Sequence, residues 1–440
     1  MLPENASPHR AAPLQLELPL LPPRPLMRSA PPRATVSVVI RRALQCGVAF
    51  IVCALPVAIA QQEVVIAGSP VIINAVEASL LRTFNELQHD NLRQAMIEID
   101  GALAKNPNFR LGQMIKGDIL MAQSGAPVAF GEREVMSDAT IAFRHEARVR
   151  LERYLDAPPA SWRPASLMQV DERQSHVILV DVEKHRLFVF RNNNGVPEYV
   201  ADFYVSAGKN GVDKVREGDQ KTPLGVYFVT STVPKEKLTD LYGAGAYPIS
   251  YPNDWDKLNG RNGSGIWLHG TPSNTYSRPP LASDGCVVLT NDDFQRLSQF
   301  VDIGNTPVVI TSKVDWREPG LWAADKGQFE ASVEAWRKDW ESLSVDRYLA
   351  HYSEHFVADG KDFSTWAERK RAVASQKSFV KVGITMLSAY SYRGTGSEPY
   401  MVVTFLQDYR SNNLSNKIRK RQYWAQENGA WKIVYETTAS

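Results

Sequence analysis

Cysteine is almost absent from this chain. Three occur in 440 residues, and two of them, Cys46 and Cys53, fall in an apolar stretch near the start. No Cys-x-x-Cys pair exists and the eight histidines are scattered, so the sequence offers no readable metal site. A Gly-rich phosphate loop and a tandem array are also missing. So is an excess of either charge: 50 basic against 48 acidic residues leave a formal net charge of +2. Nucleic-acid binding usually needs a concentrated basic patch, and this balance gives no case for one. The long apolar run is residues 43–60, interrupted by Gln45, Gly47 and Pro56. It is marginal for a membrane span of about 20 residues.

What is there begins with that run. Arg28, Arg33, Arg41 and Arg42 form a basic flank before it. It closes on Ala58-Ile59-Ala60, ahead of Gln61-Gln62-Glu63, the small-x-small pattern of a signal-peptidase site. Residues 1–60 are therefore expected to be a disordered leader and signal peptide, with Met27 an attractive true start. Export to the periplasm is expected ahead of membrane anchoring. Neither Cys46 nor Cys53 follows the small residue of a lipoprotein cleavage site. Cleavage after Ala60 leaves Cys286 as the sole thiol, unable to close an internal disulfide. In an exported protein such a residue is a buried passenger, an intermolecular bridge or a nucleophile.

The length predicts two or three domains. Residues 61–170 are expected to be helical. Leu80, Leu81, Phe84, Leu87, Leu92, Ala95, Ile97 and Ile99 fall near a 3.6 period, and a second helix follows the break at Asn106-Pro107-Asn108. Another charged helix is expected over 140–155. The pair, joined by Ala102-Leu103-x-x-Asn106-Pro107-x-Phe109, resembles one tetratricopeptide-like hairpin, a packing accessory or a dock for a protein partner. Residues 171–314 read as a mostly β domain, with short β-type runs at 177–181, 186–190, 199–206, 225–230 and 308–310. Residues 315–327 read as a polar linker. Residues 328–440 read as α+β: helices at 329–343, 345–356 and 363–376, then strands at 380–392, 400–411, 417–426 and 431–436. Asn428-Gly429 supplies the last hairpin turn. This order resembles the nuclear transport factor 2-like cone fold, which in some proteins holds a ligand or a partner.

The chemistry gathers around the thiol. Cys286 ends Ser283-Asp284-Gly285-Cys286, and His269-Gly270 lies 17 positions upstream. A cysteine attacks acyl carbons as thiolate, and a nearby His can take its proton and lower its pKa below about 8.5. The His needs aiming through its second nitrogen, which a backbone carbonyl at Gly270 or its neighbours would provide. Gly285 allows close backbone approach, and the N–H groups of Gly285 and Cys286 are natural oxyanion donors. Ser283 would brace the turn. Asp284 would accept from His269 or a substrate amine, or cap the turn, the last being favoured.

His-Gly-x(n)-Ser-x-Gly-Cys resembles the signature of the L,D-transpeptidase catalytic domain family: a His, a spacer, then Ser/Thr-His-Gly-Cys-hydrophobic-Asn/Arg. Gly218-Asp219-Gln220-Lys221-Thr222-Pro223-Leu224-Gly225-Val226-Tyr227-Phe228 resembles a second family element, and Val180-Asp181 with Arg186-Leu187-Phe188-Val189-Phe190 its first hairpin. The resemblance spans residues 175–312. It implies Cys286 as nucleophile and His269 as general base and acid, acting on peptidoglycan stem peptides without metal or organic cofactor. Two positions depart from the pattern: Asp284 replaces His, and Val288 replaces Asn or Arg.

The expected protein is thus multidomain: an N-terminal helical hairpin region, a mostly β L,D-transpeptidase-like domain and a C-terminal α+β cone. The expected activity is cross-linking by an exported cysteine L,D-transpeptidase. The alternatives are an L,D-carboxypeptidase or hydrolase using water, and a non-catalytic wall scaffold. Arg278 and Lys221 are candidates for peptide carboxylates but read as solvated surface. His176 and His185 read as structural. His351 and His355, four apart on an expected helix, read as surface.

Overall fold

The structure, a computed structural model, describes residues 74–125, 137–155, 157–358, 360–394, 396 and 398–439. It also describes the backbone of a short antiparallel pair, Glu63–Ile66 with Ser69–Ile72. The expected leader and signal peptide, with Met27, Cys46 and Cys53, lie outside the described residues. Among those described, no helix is long and apolar enough to cross a membrane.

Four helices follow: α1 (Ala75–Gln88), α2 (Leu92–Lys105), α3 (Arg110–Gln123) and α4 (Asp138–Leu155). The single helix expected before Asn106 is two. Asp90 turns the chain at φ 56°, and Asn91 accepts a hydrogen bond from the Gln94 N–H at 3.3 Å. Asp and Asn tolerate the left-handed conformation and favour helix starts, so the polar pair ends one helix and begins the next. Leu80, Ala95, Ile99, Phe109, Ile115 and Ile119 close a common core. Helix α4 differs: it buries Glu146 and Arg150.

The middle of the chain forms a five-stranded sheet. Its spatial order is Val196–Tyr204, Arg186–Asn193, His176–Asp181, Pro307–Thr311 and Gly225–Phe228. Between their ends the two central strands are apolar and buried on both faces, at residues 177–180 and 308–310. A second sheet runs Val233–Pro234, Gly245–Pro248, Trp267–His269 and Val287–Val288.

The C-terminal sheet has seven strands. Four long ones, Val380–Arg393, Pro399–Ser411, Ser415–Glu427 and Ala430–Thr438, run antiparallel in sequence order. Their period-two pattern sorts them by face. Met401, Val403 and Phe405 pack on Phe329 and Trp336, while Val402, Tyr423 and Val434 enter the core of the middle domain. Trp255 of the short helix Asp254–Leu258 stacks on Tyr423 at 5.2 Å.

Three expectations change here. Leu167–Gln169, expected within the helical region, is an edge strand of the C-terminal sheet, beside Val380–Arg393. The 315–327 linker is structured: Trp316–Arg317 pairs with Arg163–Pro164, and a helix runs Pro319–Glu341 with Pro at its start. The 345–356 helix stops at Leu349, and Tyr352–Ala358 is a strand. Tyr352 and Phe356 are four apart, a spacing that fits one face of either element. His351 and His355 therefore do not share a helix. His351 Nε2 pairs with Asp339 Oδ2 at 2.8 Å, and His355 is exposed on the strand.

Candidate active site

Ile266 and Leu268 are buried while Trp267 is half-buried, the alternation of a strand with one covered face. That strand, Trp267–His269, pairs in parallel with Val287–Val288, placing His269 opposite Val288. Cys286 leads the second strand, so the pairing carries the imidazole and the thiol on neighbouring strands.

His269 is 3% exposed. Its Nδ1 lies 2.7 Å from the Gly270 carbonyl oxygen. That bond assigns the proton to Nδ1, which donates, and leaves Nε2 with its lone pair. A Cβ at Gly270 would sit 2.2 Å from Asn291 Oδ1 and 2.9 Å from the Ala244 nitrogen, so the position needs glycine. Burial pushes His269 down to about 4. The Tyr242 ring stands edge-on to it at 5.0 Å and lies 4.7 Å from Trp267.

Cys286 is half-buried, and its thiol donates to the Gly265 carbonyl at 3.3 Å. Burial pushes the thiol up to about 11; the Trp267 N–H and the Arg278 charge offset this in part. Both groups therefore rest neutral. Burial opposes the expected thiolate–imidazolium pair with a lowered thiol pKa, because both groups lose more hydration than their partners replace.

A hydrogen-bonded turn holds the thiol. Gly285 sits at φ +124°, and a Cβ there would come 2.7 Å from the Lys221 carbonyl oxygen. Ser283 Oγ accepts from the Gly285 N–H at 3.1 Å and donates to the Cys286 carbonyl at 2.6 Å. Thr222 Oγ1 donates to the Gly285 carbonyl at 3.0 Å and accepts from the Gly208 N–H at 2.9 Å. The Gly285 N–H is thus engaged, unlike the oxyanion donor expected there.

Asp284 also differs from expectation. It is exposed, pairs with Lys209 at 3.1 Å and accepts from Gln220 Nε2 at 3.2 Å. The Gly270 carbonyl already occupies the imidazole Nδ1 and Ser283 already braces the turn, so of the three expected roles the bond from a substrate amine is the one left open to it. Val288 is 2% exposed and bridges Ser206. Lys221 contributes its carbonyl against Gly285. Arg278, expected as surface, is half-buried, with Nη1 3.5 Å from the Ala282 carbonyl. His176 meets Phe300 edge-on at 5.2 Å. His185 lies in a turn at φ 50° rather than in a strand, 4% exposed. Sequence reasoning missed Tyr242 and the role of Thr222. Thr222 stood in a motif already read, whereas Tyr242 stood in none.

Residues 175–310 match the L,D-transpeptidase catalytic domain, and residues 328–437 match the Cds6 C-terminal NTF2-like domain. The solved structure of Bd1075 from Bdellovibrio bacteriovorus is 31% identical, with a TM-score of 0.54, covering 63% of this chain and 98% of that one. The chain belongs to the L,D-transpeptidase family, with an added C-terminal NTF2-like domain. Members of this family act on peptidoglycan. The helical cell shape determining protein Pgp2 from Campylobacter jejuni shares the fold at 23% identity. Its TM-score is 0.52, covering 62% of this chain and 95% of that one. Comparison with curated protein sequences yields no match.

Proposed function

We propose that this L,D-transpeptidase family member is an exported cysteine acyltransferase that cleaves the L,D bond of peptidoglycan stem peptides through a thioester on Cys286. His269 Nε2 takes the thiol proton as Sγ attacks the carbonyl carbon. The Cys286 N–H is the turn donor proposed for the oxyanion, since Ser283 engages that of Gly285. The carbon–nitrogen bond then breaks, and the D-amino acid leaves with the proton from His269. An acceptor amine attacks the thioester with His269 as base, forming the cross-link and restoring the thiol. The observation that carries this reading is the Gly270 carbonyl fixing His269 Nδ1 on the strand paired with that of Cys286.

Water as acceptor is the second reading, and Arg278 favours it. The guanidinium charge acts on Cys286 ahead of the opposing Asp284 carboxylate and would repel an ammonium approaching the thioester, while water is indifferent to it. The test is muropeptide analysis after treatment with wild type and Cys286→Ala. Cross-linked dimers support transfer, and trimmed stems support hydrolysis. Products unchanged by Cys286→Ala would sink both and favour a wall-binding scaffold. Periplasmic placement through a cleaved signal peptide belongs to this proposal, and mass spectrometry of the mature N-terminus checks it.

A further inference from the structure

The loop between the two proposed catalytic residues, 271–282, is held from outside the catalytic domain. At the α2–α3 junction, Asn108 Nδ2 donates to the Ser273 carbonyl at 3.2 Å, and its own carbonyl accepts from the Tyr276 N–H at 3.3 Å. The Tyr276 ring is 7% exposed and enters the helical core, edge-on to Phe109 at 5.0 Å. From α4, fully buried Glu146 accepts from Ser277 Oγ at 2.6 Å and from Arg150 Nη2 at 2.9 Å. Arg150 lies 3.9 Å above the Tyr204 ring, whose hydroxyl donates to the Arg278 carbonyl at 2.9 Å.

Three successive residues, Tyr276, Ser277 and Arg278, are thus anchored, and the last carries a guanidinium that forms no ion pair among the described residues; the exposed Asp284, paired with Lys209, acts on it only at longer range. That guanidinium is half-buried against Ala282, next to the Ser283 that braces the thiol turn. Burying a cation without an anion is unfavourable, and a guanidinium is a planar donor fork matched to a carboxylate.

We propose that Arg278 determines specificity by binding a free carboxylate of the donor peptide beside the scissile bond, and that α2–α4 position it through Tyr276 and the Glu146–Ser277 hydrogen bond. This rests on the acyl-transfer reading above. The incoming carboxylate supplies the contact ion pair that Asp284, turned to Lys209, does not make, and the end of the leaving D-amino acid offers one within a residue of the attacked carbonyl.

The test is calorimetric binding to the full chain carrying Cys286→Ala, which stops turnover. The probes are a stem tetrapeptide with a free C-terminal carboxylate and the same peptide as its C-terminal amide. The acid is expected to bind about 10- to 100-fold tighter, the range of a charge-assisted pair. Adding Arg278→Gln should erase that ratio, and Ser277→Ala should reduce it while Ser277→Thr, which keeps the hydroxyl, retains it. Equal binding of acid and amide to the parent overturns the Arg278 assignment. A ratio untouched by Ser277→Ala overturns the positioning role of the helices. Binding of neither peptide overturns the acyl-transfer reading itself.

Discussion

At Cys286 the resting proton stays on sulfur, donated to the Gly265 carbonyl while the imidazole beyond it is neutral. A preformed ion pair would react with alkylating agents across the neutral range. This thiol, pushed up to about 11 by burial, should not. Iodoacetamide should label it more slowly than a free cysteine at pH 7, with a rate that rises toward about pH 11. Mass spectrometry of timed aliquots would show this, and a fast, pH-independent rate would refute it. The turn is equally specific. Gly285→Ala should cost about 1–3 kcal/mol and most of the activity, because φ +124° and the Lys221 carbonyl both oppose a Cβ. A thermal melt and a turnover assay would measure the two effects. The residue types at this site were legible in the sequence, including the Gly270 carbonyl as partner of the imidazole. Their hydrogen bonds were not. Whether Asp284 meets His269 or Lys209 depends on where a turn aims one side chain, which residue type does not set.

Among elements, long alternating strands were the most legible: Val380–Arg393 and Pro399–Ser411 lie within one residue of their expected bounds at each end. Asn428-Gly429 turns the last hairpin with φ of 52° and 78°, as its residue types demand. Short elements were not legible. Leu167–Gln169 has three residues, too few for a period, and finds its partner more than 200 positions away. Helix α4 was expected, but its buried charges look like a solvated face until their partners are known. Arg153 of α4 and Arg186 of the sheet both donate to buried Asp202, through Nε at 3.0 and 2.9 Å. Burial alone would raise the Asp202 pKa, but the two guanidinium groups outweigh it and hold it well below the usual carboxylate range. Its contribution to stability is therefore present above the unfolded value of about 3.9 and lost as pH falls below it. Asp202→Asn leaves two buried cations short of an anion. It should lower unfolding free energy by about 3–5 kcal/mol at pH 7 in urea titration.

At the scale of the molecule, the catalytic and C-terminal units share one core. Tyr390, Tyr392, Val402, Tyr423 and Val434 of the cone sheet pack with Leu179, Val309 and Tyr227 of the catalytic sheet. An interface with an apolar core welds domains, whereas polar ones let them move independently. Scanning calorimetry of the mature chain should therefore show one cooperative transition for both units, and two resolved transitions would argue against a shared core. The order of these units was legible in the sequence, but residues 315–327 read as a passive joint. Pairing of Trp316–Arg317 with Arg163–Pro164 is a tertiary fact with no local signature. The central claim for the whole is that this assembly presents one acylating thiol. Its most direct test is acid-quenched mass spectrometry of the protein mixed with a stem tetrapeptide. The account predicts an acyl adduct on the peptide that contains Cys286, missing its terminal D-amino acid and absent from Cys286→Ala. Full turnover by Cys286→Ala, or an adduct on another residue, would contradict it.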